Sequence, residues 1–263
     1  MEFLNLVLIA PIADMIEYPA FLVEVVFGGL MSGVMYSLVA LGFVLIFKAS
    51  GVFNFAQGVF ALFAALTLVG LMNGTMPFTL EKSLPELPAW AAVIVTFIVM
   101  IGLAIAVERI VLRPLVNQDH IIMFMSTIGL AFVLEGLGDT IWGSEVKALD
   151  VGIPTGNFLI GEIQIQIFDL WAAGIAAFLV VVLALFFQYT RTGRALRAVA
   201  DDHQAALSVG IPLKNIWIIV WSVAGLVALV AGIMWGSKSG VQFSLSLIAL
   251  KALPVLILGG FTS

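Results

Sequence analysis

Residues 190–214 read TRTGRALRAVADDHQAALSVGIPLK and form the one long polar interval in an otherwise apolar chain. Arg191, Arg194 and Arg197 open the interval, Asp201, Asp202, His203 and Gln204 follow, and Gly210 and Pro212 close it as glycine and proline end helices. The pattern predicts two short helices in water. A connection between membrane spans needs no helices of its own, so a structured one predicts that something docks on it.

The flanking sequence is built for lipid. Of 263 residues, 62% are hydrophobic and 10% charged, with mean hydropathy +1.19, whereas soluble domains carry about 25% charged residues. The fold class this predicts is an all-α polytopic membrane protein. The net charge of −5 gives no reason to expect nucleic acid. The absence of cysteine excludes disulfides, thiolate metal sites and cysteine nucleophiles, and with only His120 and His203 a histidine metal site is not expected. The first 21 residues lack a basic n-region and carry Glu2, Asp14 and Glu17, unlike a cleavable secretory signal. A short interfacial or partly inserted segment is expected there.

Apolar runs of spanning length fall at about 20–47, 52–72, 89–108, 119–141, 168–189, 215–235 and 244–262, predicting about seven transmembrane helices. With the 190–214 interval in the cytoplasm, Lys48, Arg109, Arg113, Arg191, Arg194, Arg197 and Lys214 fall inside. Lys82, Lys147 and Lys238 fall outside, which satisfies the positive-inside bias and puts the N-terminus outside. In the external stretch 142–168, a Gly-Ile-Pro turn, a Gly-Asn turn and the alternation Ile163, Ile165, Ile167 predict a small β-like loop. It would cap the helices or receive a soluble partner. The four-residue spacings Gly29-Gly33-Ser37 and Ala224-Ala228-Gly232-Gly236 predict close helix packing. No internal repeat or linker divides the chain, so residues 1–263 are read as a single transmembrane domain.

Residues 40–58, ALGFVLIFKASGVFNFAQG, predict a helix that ends at Lys48 and a break leading into Asn54 and Gln57. A buried amide without a partner costs roughly 2–7 kcal/mol. Two amides at i and i+3 therefore imply mutual bonding, bonding to a neighbouring helix, or a wet substrate path. Glu108 beside Arg109 and Arg113 predicts a local ion pair, and Glu135 with Asp139 shares one helical face, the hint of a proton relay. Lys251, seven residues into the last run, must reach an interface, a cavity or a carboxylate. No G-x-x-x-x-G-K-[ST] loop occurs, and no serine lies in a nucleophile context, so no catalytic residue is expected.

Taken in order, the string at 40–58, ERIVLRPL at 108–115, STIGL at 126–130, RTGRALRAVADDHQAALSVGI at 191–211 and LKALPVLILGGFTS at 250–263 resemble the membrane subunit of bacterial ABC importers for branched-chain amino acids, the LivH type. The resemblance implies a multi-pass permease of the bacterial inner membrane that translocates such an amino acid inward. It implies no bound metal or cofactor, with ATP and Mg used by two cytoplasmic ATP-binding subunits. A second permease subunit of the LivM type and an external substrate-binding protein complete the implied assembly. Residues 195–210 match the segment that docks in an ATPase groove, which gives Arg194, Arg197, Asp201, Asp202, His203 and Gly210 coupling roles. Phe53, Asn54, Phe55 and Gln57 are the expected pathway positions. Relatives of this pattern import urea or short-chain amides, and an ion-coupled secondary transporter or a non-transporting scaffold are the readings from other classes. Two departures stand out: Gln57 occupies a position where relatives commonly carry histidine, and the family continues past GGFTS with a Gly-rich stretch and at least one further span. A truncated chain, a partial gene and a divergent member are the alternatives that this second departure leaves.

Overall fold

A computed structural model of the chain describes residues 7, 10–115, 118–161, 163–201, 206, 208–211 and 213–260. Among them are nine α-helices: α1 (Ala10–Glu17), α2 (Pro19–Ser50), α3 (Gln57–Met72), α4 (Ala89–Val107), α5 (His120–Trp142), α6 (Ile167–Tyr189), α7 (Arg191–Asp201), α8 (Leu213–Ser239) and α9 (Ile248–Leu258). Strands β1 (Asn157–Ile160) and β2 (Ile163–Gln166) pair antiparallel ahead of α6, with Phe158 opposite Ile165 and Leu159 opposite Gln164. The alternating isoleucines thus form the strand their pattern predicts, except that Ile167 already opens α6.

Five helical stretches, Pro19–Ser50, Ala89–Leu115, His120–Trp142, Ile167–Tyr189 and Asn215–Ser239, are long and apolar enough to cross a bilayer. Their outward faces are apolar, with Phe132 and Phe178 each 70% exposed. Water would penalise such a surface and lipid does not. The other two of the seven predicted runs form shorter apolar helices. The 52–72 run becomes helical only at Gln57, because Gly51 takes the left-handed conformation (φ 68°) and ends α2 by donating its N–H to the Phe47 carbonyl. The 244–262 run opens as a 3₁₀ turn, Phe243–Leu247, before α9. Hydropathy detects apolar side chains and not the backbone that carries them, so both runs look longer than their helices.

α3 is the axis of the fold. Every residue from Gln57 to Gly70 is buried, and α3 touches α2, α4, α5, α8, α9 and the 3₁₀ turn. A helix apolar all round belongs inside other helices. Its 16 residues span about 24 Å, short of a hydrocarbon core of about 30 Å, a mismatch that neighbouring protein makes tolerable. α8 packs on α2, α3 and α4, and its small residues face α3: a side chain at Gly232 would run into the Ala61 carbonyl. A Cβ at Gly29 or Gly33 would meet nothing within 4 Å among the described residues, so these two glycines make no close helix contact here.

Candidate functional site

The break between α2 and α3 is closed by polar groups that satisfy one another. Ser50 Oγ donates to the Ile46 carbonyl at 2.8 Å and accepts from the Val52 N–H at 3.2 Å. Asn54 Oδ1 accepts from the Ala56 N–H at 3.1 Å, and Asn54 Nδ2 donates to Gln57 Oε1 at 3.4 Å. Gln57 Nε2 in turn donates to the Ala224 carbonyl in the middle of α8 at 3.3 Å. Asn54 is 0% and Gln57 1% exposed, so these bonds replace water outright. The two amides three residues apart are therefore brought together, although Asn54 lies in the break before α3, and both are also tied to backbone. Room for the Gln57 carboxamide comes from Gly42 of α2, where any Cβ would collide with it.

Phe53 and Phe55 lie on either side of Asn54 and are each half-buried. The Phe53 ring stacks on Phe43 (centroids 4.6 Å, interplanar angle 18°), and the Phe55 N–H donates to Thr127 Oγ1 at 3.0 Å. Thr127 clamps a non-helical segment with its hydroxyl, as irregular backbone inside a helical bundle requires. Sequence reading missed this role; the threonine sits inside STIGL, and its burial is the signal that only packing supplies.

A second polar arrangement lies at the far end of α6. Only Thr190 separates α6 from α7, and its Oγ1 accepts from the Gly193 N–H at 2.9 Å as an N-cap while donating to the Phe186 carbonyl at 2.6 Å. Gly193 is required here, since a Cβ would meet the backbone of Phe187. Gly193, Leu196 and Val199 are buried, and Arg191, Arg194 and Asp201 are exposed along the outer side. Arg194 Nη1 donates to the Tyr189 carbonyl at 3.3 Å, and Arg197 Nη2 reaches back to the Gln188 carbonyl at 3.4 Å. These contacts fasten α7 to the end of α6. Farther on, Gly210 (φ 84°) and the bond from the Ile211 N–H to the Ala206 carbonyl at 3.0 Å make a Schellman-type stop. Asp202, His203, Gln204 and Pro212 lie outside the described residues, as does most of the second short helix expected in this interval.

The remaining charges divide between ion pairs and open positions. Glu108, 2% exposed, pairs with Arg113 at 3.4 Å across a π-helical turn, the local pair the sequence suggested. At the hairpin end, buried Asp169 of α6 pairs with Lys238 of α8 at 2.7 Å. That bridge escaped sequence reading because its partners are 69 positions apart. Glu135 accepts from Ser246 Oγ at 3.5 Å while Asp139 stays exposed, so the two carboxylates have different surroundings. Lys251 projects from the exposed face of α9.

Comparison with known proteins adds an independent line of argument. The family described as branched-chain amino acid transport system, permease component, matches residues 25–263. The permease protein BraD of a high-affinity branched-chain amino acid transport system of Pseudomonas aeruginosa is 31% identical over 89% of this chain and 78% of its own length. LivH of Escherichia coli, described in the same terms, is 27% identical over 95% of this chain and 82% of its own. The L-arabinose ABC transporter permease AraH of Azospirillum brasilense is 28% identical over 67% of this chain and 56% of its own length. No solved structure matches. The apolar spans and the family assignment agree on a multi-pass membrane permease of the bacterial inner-membrane type, non-catalytic itself. With five long apolar helices around a buried central one, and a family match running almost from end to end, this chain belongs to the permease components of branched-chain amino acid ABC transport systems.

Proposed function

We propose that the chain carries branched-chain amino acids, or closely related small solutes, into the cell, driven by ATP hydrolysis in partner subunits that dock on α7. The observation that carries this reading is the elbow at Thr190. α7 is joined to α6 through one capped residue, is fastened to it by Arg194 and Arg197, and leaves Arg191, Arg194 and Asp201 facing outward. A helix attached so tightly turns displacement by a partner into tilt of α6 as a rigid lever, with no slack for a flexible loop to absorb. The Asp169–Lys238 bridge joins α6 to α8 at the opposite end, so both long helices that flank the 190–214 interval move against a fixed point.

In this arrangement α3 with its leading turn, and the 3₁₀ turn with α9, supply the sixth and seventh crossings. The α7 end faces the cytoplasm and the β1–β2 hairpin faces outward, toward a substrate-binding protein. A second permease subunit completes the pathway. Phe53 and Phe55, half-buried at the break, are its lining positions, and Asn54 and Gln57 hold the break in shape while offering amide groups when the subunits part. A zwitterion needs only such amides and helix ends, with no fixed charge pair. Similarity to an arabinose permease keeps small polar solutes of other kinds as the second reading of substrate.

The test is Arg194→Glu in the transporter reconstituted into vesicles with its ATPase subunits. Uptake is expected to fall at least about tenfold, while insertion is retained and thermal stability falls by no more than about 1 kcal/mol, the net worth of the bond to the Tyr189 carbonyl. Unchanged uptake would remove α7 as the coupling element.

A further inference from the structure

α2, α6 and α7 enclose a groove of about 240 Å³ on the flank of the elbow. Leu41 and Val44 of α2, Leu183 and Phe187 of α6, and Leu196 of α7 form its walls and floor. The charged residues that line it are two cations, Lys48 in the last turn of α2 and Arg197 of α7. Both are exposed, and neither has a carboxylate partner among the described residues, where the ion pairs are Glu108–Arg113 and Asp169–Lys238. Arg197 also donates to the Gln188 carbonyl, and that bond uses one of its five N–H donors.

We infer that this groove binds an anionic phospholipid, with the phosphate between Lys48 and Arg197 and acyl chain along Val44, Leu183 and Phe187. The walls are too apolar to hold ordered water, which needs two to four polar partners, so the occupant is hydrocarbon for most of its length. Two cations without a carboxylate partner among the described residues select a negative head over a neutral one. A free inorganic anion would satisfy the cations but leave the apolar walls uncovered. A chain that crosses a bilayer has such amphiphiles as its solvent, and basic clefts between membrane helices suit acidic headgroups. The bound phosphate would bridge the end of α2 to α7, so membrane composition would set how firmly the elbow is held. The site stands whether or not α7 docks on an ATPase.

The experiment titrates the purified full chain in neutral detergent with phosphatidylglycerol, phosphatidylcholine and inorganic phosphate, followed by thermal unfolding and native mass spectrometry. Phosphatidylglycerol is expected to remain bound and to raise the melting temperature; phosphatidylcholine and phosphate are not. Lys48→Gln is expected to weaken phosphatidylglycerol binding about fivefold and Lys48→Arg to retain it. Val180→Trp, at the open lip of the groove, is expected to displace the lipid with both cations intact. Equal stabilisation by phosphatidylcholine or by phosphate alone, or undiminished phosphatidylglycerol affinity in folded Lys48→Gln or Val180→Trp, would overturn the site. Release of the lipid on assembly of the complete transporter would give the groove to a neighbouring subunit and overturn it equally.

Discussion

Residues 50–57 and residues 190–201 both interrupt apolar sequence with polar side chains, yet the fold treats them in opposite ways. In the first interval Asn54 and Gln57 are sealed from solvent and bonded to each other and to the backbone of α8. In the second, the apolar residues Leu196 and Val199 are buried while Arg191, Arg194 and Asp201 are presented outward. Polar groups in a dry interior are committed to one geometry, because losing a partner leaves the other uncompensated. Exposed charges commit to little, since water and salt screen them, and they remain free for a partner. The first interval therefore shapes the bundle, and the second addresses whatever lies beyond it.

That contrast is open to attack from its strongest side downward. Gly42→Leu forces a side chain into the space held by the Gln57 carboxamide, and is expected to cost about 3 kcal/mol in thermal unfolding in detergent. Tolerance of leucine there would mean the break is not held from α2. Asn54→Leu removes the partner of Gln57 Oε1 and of the Ala56 N–H, with an expected loss of about 2 kcal/mol. Combined with Gln57→Leu, the two effects should be clearly non-additive in a double-mutant cycle; simple addition would show that the amides act separately. Thr190→Val keeps the shape of the elbow but deletes its cap, which should lower stability by about 1 kcal/mol and loosen α7, read as faster amide hydrogen exchange over residues 191–196. Arg194→Glu should lower stability by no more than about 1 kcal/mol, for the lost bond to the Tyr189 carbonyl, and its main effect belongs to uptake.

Several of these features were readable in advance, for physical reasons. The alternation of Ile163 and Ile165 fixed a strand because side chains on an extended backbone repeat every two residues. Glu108 found Arg113 because partners five residues apart share a local turn. Arg191, Arg194 and Arg197, with Gly210 at the end, marked an amphipathic segment by periodicity and by a residue suited to left-handed backbone. Other features were not legible. Gly193 looks like an ordinary helix glycine until the Phe187 backbone is placed against it, and nothing near Thr127 in the chain announces that its hydroxyl holds a segment 72 residues away. Arg197 reads as one more outward charge, yet it bends toward Gln188 and the α2–α6–α7 groove.

What the sequence determined by itself was the solvent of each segment: long apolar runs belong in lipid, and a charged amphipathic interval belongs at its boundary, because transfer free energy is a property of composition. It also carried family membership, in five short strings kept in order. Which apolar run faces lipid and which is wrapped in protein was decided only by the tertiary structure. The 52–72 run is as hydrophobic as its neighbours, yet α3 is buried on every side and begins late. Burial depends on what packs around a helix, and the partners that close its broken end, Gly42, Thr127 and Ala224, lie on three other helices that only folding brings together.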